Sequence, residues 1–171
     1  FRSGLGDRIL GKGPDYPWAG TCSVLNLADL RLANLEVMLS LKGQVYTPKK
    51  YTLRANPRTI DALVSGGFGV VSLGNNHAMD YGPTALAETI SLLDQYGLAH
   101  AGAGANLAAA RAPAFAEVNG LRLAFLSYSL TYPTEFYAGR TRPGTVPGYD
   151  DYLRADIPAA KKLADLVVVS F

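Results

Sequence analysis

The stretch Val70-Val71-Ser72-Leu73-Gly74-Asn75-Asn76-His77-Ala78-Met79-Asp80-Tyr81-Gly82 constrains the fold of this chain more than any other. Its opening is apolar and β-branched, the pattern of a buried strand. Gly74 ends that strand. The next residues supply two amides, an imidazole and a carboxylate, and Gly82 closes the turn. Pro83 then takes the first position of a helix. A strand that runs through a polar turn into a helix is where α/β folds bind ligands, at the carboxyl ends of their strands. The competing reading is a structural turn, in which the Asn side chains cap the backbone and His77 fills a corner.

The rest of the chain repeats that alternation. Leu30–Leu35 reads as a strand with Glu36 at its end. Asn56-Pro57 starts a helix, Asn capping and Pro at the first position. Gly66-Gly67 stops it ahead of the strand Phe68–Leu73. The helix after Pro83 carries Leu86, Ile90 and Leu93 on one face, and Gly97 stops it. The glycine-rich run Ala101-Gly102-Ala103-Gly104 lacks a strong preceding strand, so it reads as a tight turn with Asn106 capping the next helix rather than as a dinucleotide loop. Ala114–Val118 and Leu121–Tyr128, joined by Asn119-Gly120, predict a hairpin with a type I′ turn. Residues 129–150 read as one long loop. Asp156 is expected to cap a last helix, ahead of a strand over Leu166–Phe171. Within Phe1–Leu10, Gly6-Asp7 is expected to close a first strand and present Asp7 at its end, a strand cut short here because Phe1-Arg2-Ser3-Gly4 is a poor strand sequence. The class is therefore α/β, with a substantially parallel sheet and one hairpin, in a single domain over residues 1–171.

Composition narrows the function. The 171 residues include 49% hydrophobic and 18% charged side chains, a globular balance. A net charge of +2 is too even to argue for nucleic acid as partner. Cys22 is alone, which excludes an internal disulfide and a Cys-rich zinc site. No apolar run is long enough to span a membrane. With abrupt ends and neither an initiator Met nor a signal peptide, the sequence is expected to be a fragment or processed form.

Polar groups cluster at strand ends: Asp7, then Asn34 with Glu36, then Asn75, Asn76, His77 and Asp80. Carboxylate, amide oxygen and imidazole are the donors that hard and borderline divalent ions take. Parallel strands would bring these ends to one sheet edge, where a metal site of mixed oxygen and nitrogen ligands could form. Taken singly, each carboxylate is as well explained as a cap.

Gly6-Asp7, Asn34-Leu35-Glu36 and the run from Gly74 to Gly82 resemble, in that order, the poly-gamma-glutamate capsule biosynthesis (CapA-type) proteins. Gly102-Ala103-Gly104 with Asn106, and the strand Leu123–Tyr128, fit the same pattern, so the resemblance covers nearly the whole chain. That family is similar to the metallophosphoesterases. The resemblance implies a layered, metallophosphatase-like α/β sandwich, incomplete here, and a metal-dependent hydrolase of the cell envelope or exterior. It implies one or two divalent ions (Mn, Zn or Mg) and, as substrate, a phosphoester or an anionic polymer with amide links. It assigns Asp7, Glu36, Asn75 and Asn76 to the metal, His77 and Asp80 to catalysis, and Asn34 and Tyr81 to substrate. Two departures stand out. Asp7-Arg8-Ile9 lacks the His of the phosphoesterase Asp-x-His, and the chain ends at Phe171, where a His-Trp-Gly element would begin. The alternative function is a non-catalytic component that binds or guides the polymer among other capsule synthesis proteins. Lys49, Lys50, Arg140 and Arg142, with Tyr51, Tyr132 and Tyr137, would line its path, although an ordinary solvated loop surface is the preferred reading of these residues. Membrane attachment would come only through a segment outside this chain.

Overall fold

The computed structural model describes residues 4–171. It opens with helix α1 (Leu5–Lys12), followed by the single turn α2 (Cys22–Leu25). Leu5 and Ile9, four apart, share a face of that helix and line an apolar groove with Trp18, Leu35 and Leu63. This pair explains a correction. Asp7 does not end a strand; it sits exposed in the first turn of α1, where the helix dipole favours a carboxylate. The earlier part of the expected strand, Phe1–Ser3, lies outside the described residues.

Two three-stranded sheets pack face to face. In the first, β1 (Leu32–Asn34), β4 (Val70–Ser72) and β5 (Ala99–Ala101) run parallel, with β4 central. In the second, β8 (Leu121–Ser127) lies between its hairpin partner β7 (Ala114–Val118) and the parallel β10 (Leu166–Ser170). Asn119 and Gly120 both adopt positive φ, as the type I′ turn requires. Two short pairs complete the strands. β2 (Met38–Leu39) lies parallel to β3 (Arg54–Ala55), and β6 (Ala103–Gly104) lies antiparallel to β9 (Gly144–Thr145).

The alternation of strand side chains assigns the layers. Val70 and Phe125 belong to the cluster between the two sheets. Val71 faces the other way, into a cluster shared with α3 (Ile60–Ser65) and α4 (Gly82–Gln95) through Ile60, Leu86 and Leu93. Ala124 and Leu126 turn to the opposite side, where α5 (Leu107–Arg111) and α6 (Asp150–Lys161) supply Ala110 and Ala160. The order is helices, sheet, sheet, helices: a layered α/β fold. Among the described residues no helix is long and apolar enough to cross a membrane.

Local signals set the boundaries. Asn56 accepts from the Arg58 amide at 3.0 Å ahead of a 3₁₀ turn that leads into α3, and Asn106 accepts from the Ala109 amide at 2.9 Å to cap α5. The last helix departs from expectation. It begins at Asp150, whose carboxylate and that of Asp151 occupy the first turn. Asp156 lies inside it and receives Arg111 through two nitrogens, at 2.6 and 3.0 Å, and the Tyr128 hydroxyl at 3.1 Å. The expected long loop is also more ordered than a surface connection, since Phe136, Thr145 and Val146 in it are buried.

The candidate site at the carboxyl ends of β1 and β4

Parallel pairing aligns Asn34 at the end of β1 with Ser72 at the end of β4. Both chains then leave the sheet on the same side, and the two polar segments meet. The approach is tight. A Cβ on Gly102 would lie 2.6 Å from the Gly74 nitrogen and 2.7 Å from the Ser127 side chain, and Gly102 itself has φ +99. Only glycine allows the two sheets to close here. Ser127 completes the join, its hydroxyl 2.7 Å from that of Ser72 and accepting from the Gly74 amide at 3.1 Å.

Asn75 ties the β1 end to the turn. Its side-chain nitrogen donates to Asn34 Oδ1 at 2.9 Å and to the Leu35 carbonyl at 3.0 Å, and its Oδ1 accepts from the His77 amide at 2.9 Å. Asn34 in turn donates to Glu36 Oε1 at 3.1 Å. Asn75 is 7% exposed and its polar atoms are engaged, so its place is that of a buried brace.

Asp80 is the centre of the second half of the turn. Its carboxylate is fully buried and accepts from Lys49 Nζ at 2.8 Å, from the Leu53 amide at 2.6 Å and from His77 Nδ1 at 2.7 Å. Its carbonyl accepts from the Tyr46 amide at 3.0 Å. Ala78 and Met79, both fully buried in the apolar cluster beneath, pin the backbone between His77 and Asp80.

This arrangement decides the His77 tautomer. A 2.7 Å contact between Nδ1 and a carboxylate oxygen needs a proton between them. Lys49 and the Leu53 amide stabilise the ionised carboxylate, so the proton belongs to Nδ1. Nε2 is then left without a hydrogen bond among the described residues, on a side chain that is 12% exposed. Carboxylate behind the ring and free nitrogen in front is the pattern of histidines that ligate metals or transfer protons.

The sequence-predicted residues divide accordingly. Glu36, Asn34, Asn75, His77 and Asp80 form one connected hydrogen-bonded chain. Asn76 lies in the same turn; its carbonyl accepts from Lys49, while its side chain makes no hydrogen bond among the described residues. Tyr81 is half-buried beside the turn, its hydroxyl 3.3 Å from Thr52 Oγ1 and its ring beneath the Arg54 guanidinium at 4.4 Å. Asp7 joins none of these hydrogen bonds; it borders a separate hollow with Arg54 and Asn56. Asp80, grouped with the catalytic residues on sequence, sits behind His77 with its oxygens occupied by Lys49, the Leu53 amide and His77. Lys49 is the residue whose place the sequence does not give. It reads as part of a solvated loop surface or of a polymer path with Lys50 and Tyr51, yet its side chain is only 16% exposed and folds onto this turn. No local pattern announces that, because its partners lie roughly thirty residues on.

The oxygen donors that remain open are the second carboxylate oxygen of Glu36 and the Asn76 amide oxygen. These suit a hard divalent cation in kind. Among the described residues no three His, Cys, Asp or Glu side chains gather to hold a metal.

With fold and turn in place, comparison with known proteins supplies the class. The chain belongs to the family described as bacterial capsule synthesis protein PGA_cap, which matches residues 2–171. It is 30% identical to the capsule biosynthesis protein CapA of Bacillus anthracis over 97% of this chain and 44% of that protein. It is equally identical, at 30%, to a probable polyglutamine synthesis accessory protein of Mycobacterium tuberculosis, over 97% of this chain and 48% of the relative. The PGA biosynthesis protein CapA of Bacillus subtilis is 29% identical over 92% of this chain and 42% of its own length. The chain thus spans less than half the length of these relatives.

Proposed function

We propose that the turn from Asn75 to Asp80 is the working site of a metal-dependent hydrolase in capsule or poly-glutamate synthesis, acting at the cell envelope on an anionic polymer or phosphoester. The observation that carries this reading is the buried Asp80 carboxylate, which holds His77 Nδ1 and leaves Nε2 free. A turn that needed only to be stable would not require a histidine with one nitrogen so fixed.

Each residue then has a task. His77 Nε2 takes or returns a proton at the bond being broken, the 10²–10⁴-fold contribution typical of general acid–base groups, as an order of magnitude. Asp80 holds the ring in that tautomer. Asn75 joins the two strand ends, linking Glu36 through Asn34 to the turn that carries Asn76 and His77. Glu36 and Asn76 would hold the divalent ion, Mn, Zn or Mg. When bound, the ion polarises the scissile group and acidifies water. The relatives' names, capsule biosynthesis and polyglutamine synthesis accessory protein, support the setting and an association with other capsule synthesis proteins.

The second reading, a polymer guide without turnover, is favoured by one feature. Arg54 lies over the Tyr81 ring at 4.4 Å and forms no ion pair among the described residues, leaving its donors for an anionic group. A panel on the full-length protein separates the two. Phosphoesters and γ-linked glutamyl polymers are offered with Mn, Zn or Mg, and with chelator as control. Metal-dependent cleavage that chelator abolishes is the expected result. Polymer binding with no cleavage under any metal overturns the hydrolase reading in favour of the guide.

A further inference from the structure

We infer that Lys49 is a positioning residue of this site: its ammonium spans the turn from Asn76 to Asp80 and fixes the direction in which Asn76 and His77 face. The inference rests on the reading of that turn as the functional site, and adds to it a residue from a distant segment.

The geometry is specific. Lys49 lies between β2 and β3, in a segment without regular structure. Its Nζ donates to the Asn76 carbonyl and to Asp80 Oδ1, at 2.8 Å for the latter, and stands 3.2 Å from His77 Nδ1. Because His77 Nδ1 carries its own proton toward Asp80, the third approach is a charge–ring contact and not a hydrogen bond. The two true hydrogen bonds clamp both ends of a five-residue span that has His77 at its second position. Phe136, itself buried, stands behind, with its ring centroid 5.3 Å from Nζ.

Two features separate this lysine from an ordinary surface cation. Ordering and desolvating a lysine is unfavourable, and a solvated loop residue would avoid both. Asp80 also has a second tether, the Leu53 amide at 2.6 Å. Loss of the ammonium therefore leaves the Asp80–His77 contact a partner but frees the Asn76 end of the turn. The consequence is misdirection of Asn76 and the His77 ring rather than deletion of either. The same ammonium offsets the Asp80 charge, so the ground behind His77 carries no net negative charge against an anionic substrate.

The test uses full-length protein with labelled histidine side chains and three forms: wild type, Lys49→Met and Lys49→Arg. Lys49→Met keeps the stem and removes the charge. Lys49→Arg keeps the charge and moves the donors. Nitrogen NMR at one fixed pH reads the His77 ring, and steady-state kinetics read turnover. The wild type should show a single His77 state with Nδ1 protonated and Nε2 bare. Both variants should shift or double the His77 signals. Turnover should fall roughly 10- to 100-fold with KM little changed, the penalty of a misplaced group. If Lys49→Met does not fold, Lys49→Arg carries the test. A stabilising role alone would lower the melting temperature and leave the His77 signals and kcat at wild-type values; that result overturns the inference. If wild-type protein shows no turnover, the hydrolase reading fails separately, and the His77 signals alone decide the role of Lys49.

Discussion

Asn75 and His77 are two positions apart and have opposite parts, which makes them a sensitive pair for substitution. Asn75→Ala would strand the Leu35 carbonyl and the Asn34 amide oxygen at the join between strands, at a cost of about 1–3 kcal/mol. Urea unfolding should show the lower midpoint. His77→Ala removes one hydrogen bond, while Asp80 keeps Lys49 and the Leu53 amide, so its stability loss should stay near about 1 kcal/mol. Asp80→Leu is the severe change. It leaves the largely buried Lys49 ammonium without its counter-ion and the Leu53 amide without its acceptor, and should cost about 3–5 kcal/mol, the usual result of removing one member of a buried pair. Thermal unfolding of the three variants should rank them in that order of damage, with Asp80→Leu lowest and His77→Ala highest.

At the scale of elements, the close approach of the two sheets makes its own demand. Gly102→Ala would press a methyl group onto the Gly74 backbone in a conformation that alanine disfavours, and should destabilise by about 3 kcal/mol. Asn106→Ala should cost only about 1 kcal/mol, the value of a helix cap. Tyr128 supplies a pH prediction. Burial, and then the Asp156 carboxylate, hold its hydroxyl well above the ordinary tyrosine value, with Arg111 opposing. The folded state therefore keeps a proton that the unfolded chain releases near about pH 10. Stability from this source is constant below that pH and falls above it. Melting temperatures between neutral pH and pH 11 should drop less steeply in Tyr128→Phe than in wild type. Much of this level was legible in the sequence. The Asn119-Gly120 hairpin, the Asn-Pro start before α3 and the Asn106 cap depend on neighbours within a few residues, and all three stand in the structure. Asp7 and Asp156 were misread because a carboxylate next to glycine or before proline fits a cap or a strand end equally well. What decided their places was the Leu5–Ile9 face in one case and Arg111, forty-five residues away, in the other.

Across the whole molecule, helices on both outer faces leave the carboxyl ends of β1, β4, β8 and β10 as the place where polar groups converge. Ser72, Ser127 and Ser170 close the seam between the sheets, with Ser170 Oγ 3.4 Å from Ser72 Oγ. The class of fold and the strand-end cluster could be read from alternation and motif order, because both follow from local pattern. The role of Lys49 could not, since it depends on how an irregular segment folds back over the turn. The claim that joins these scales is that the turn works through His77. The most direct measurement is turnover of full-length wild type and His77→Ala on whichever polymer or phosphoester the wild type cleaves, with melting curves recorded on the same samples. The account predicts a loss of about 100-fold or more in His77→Ala, with cooperative unfolding retained. Wild-type turnover by a folded His77→Ala protein would contradict it.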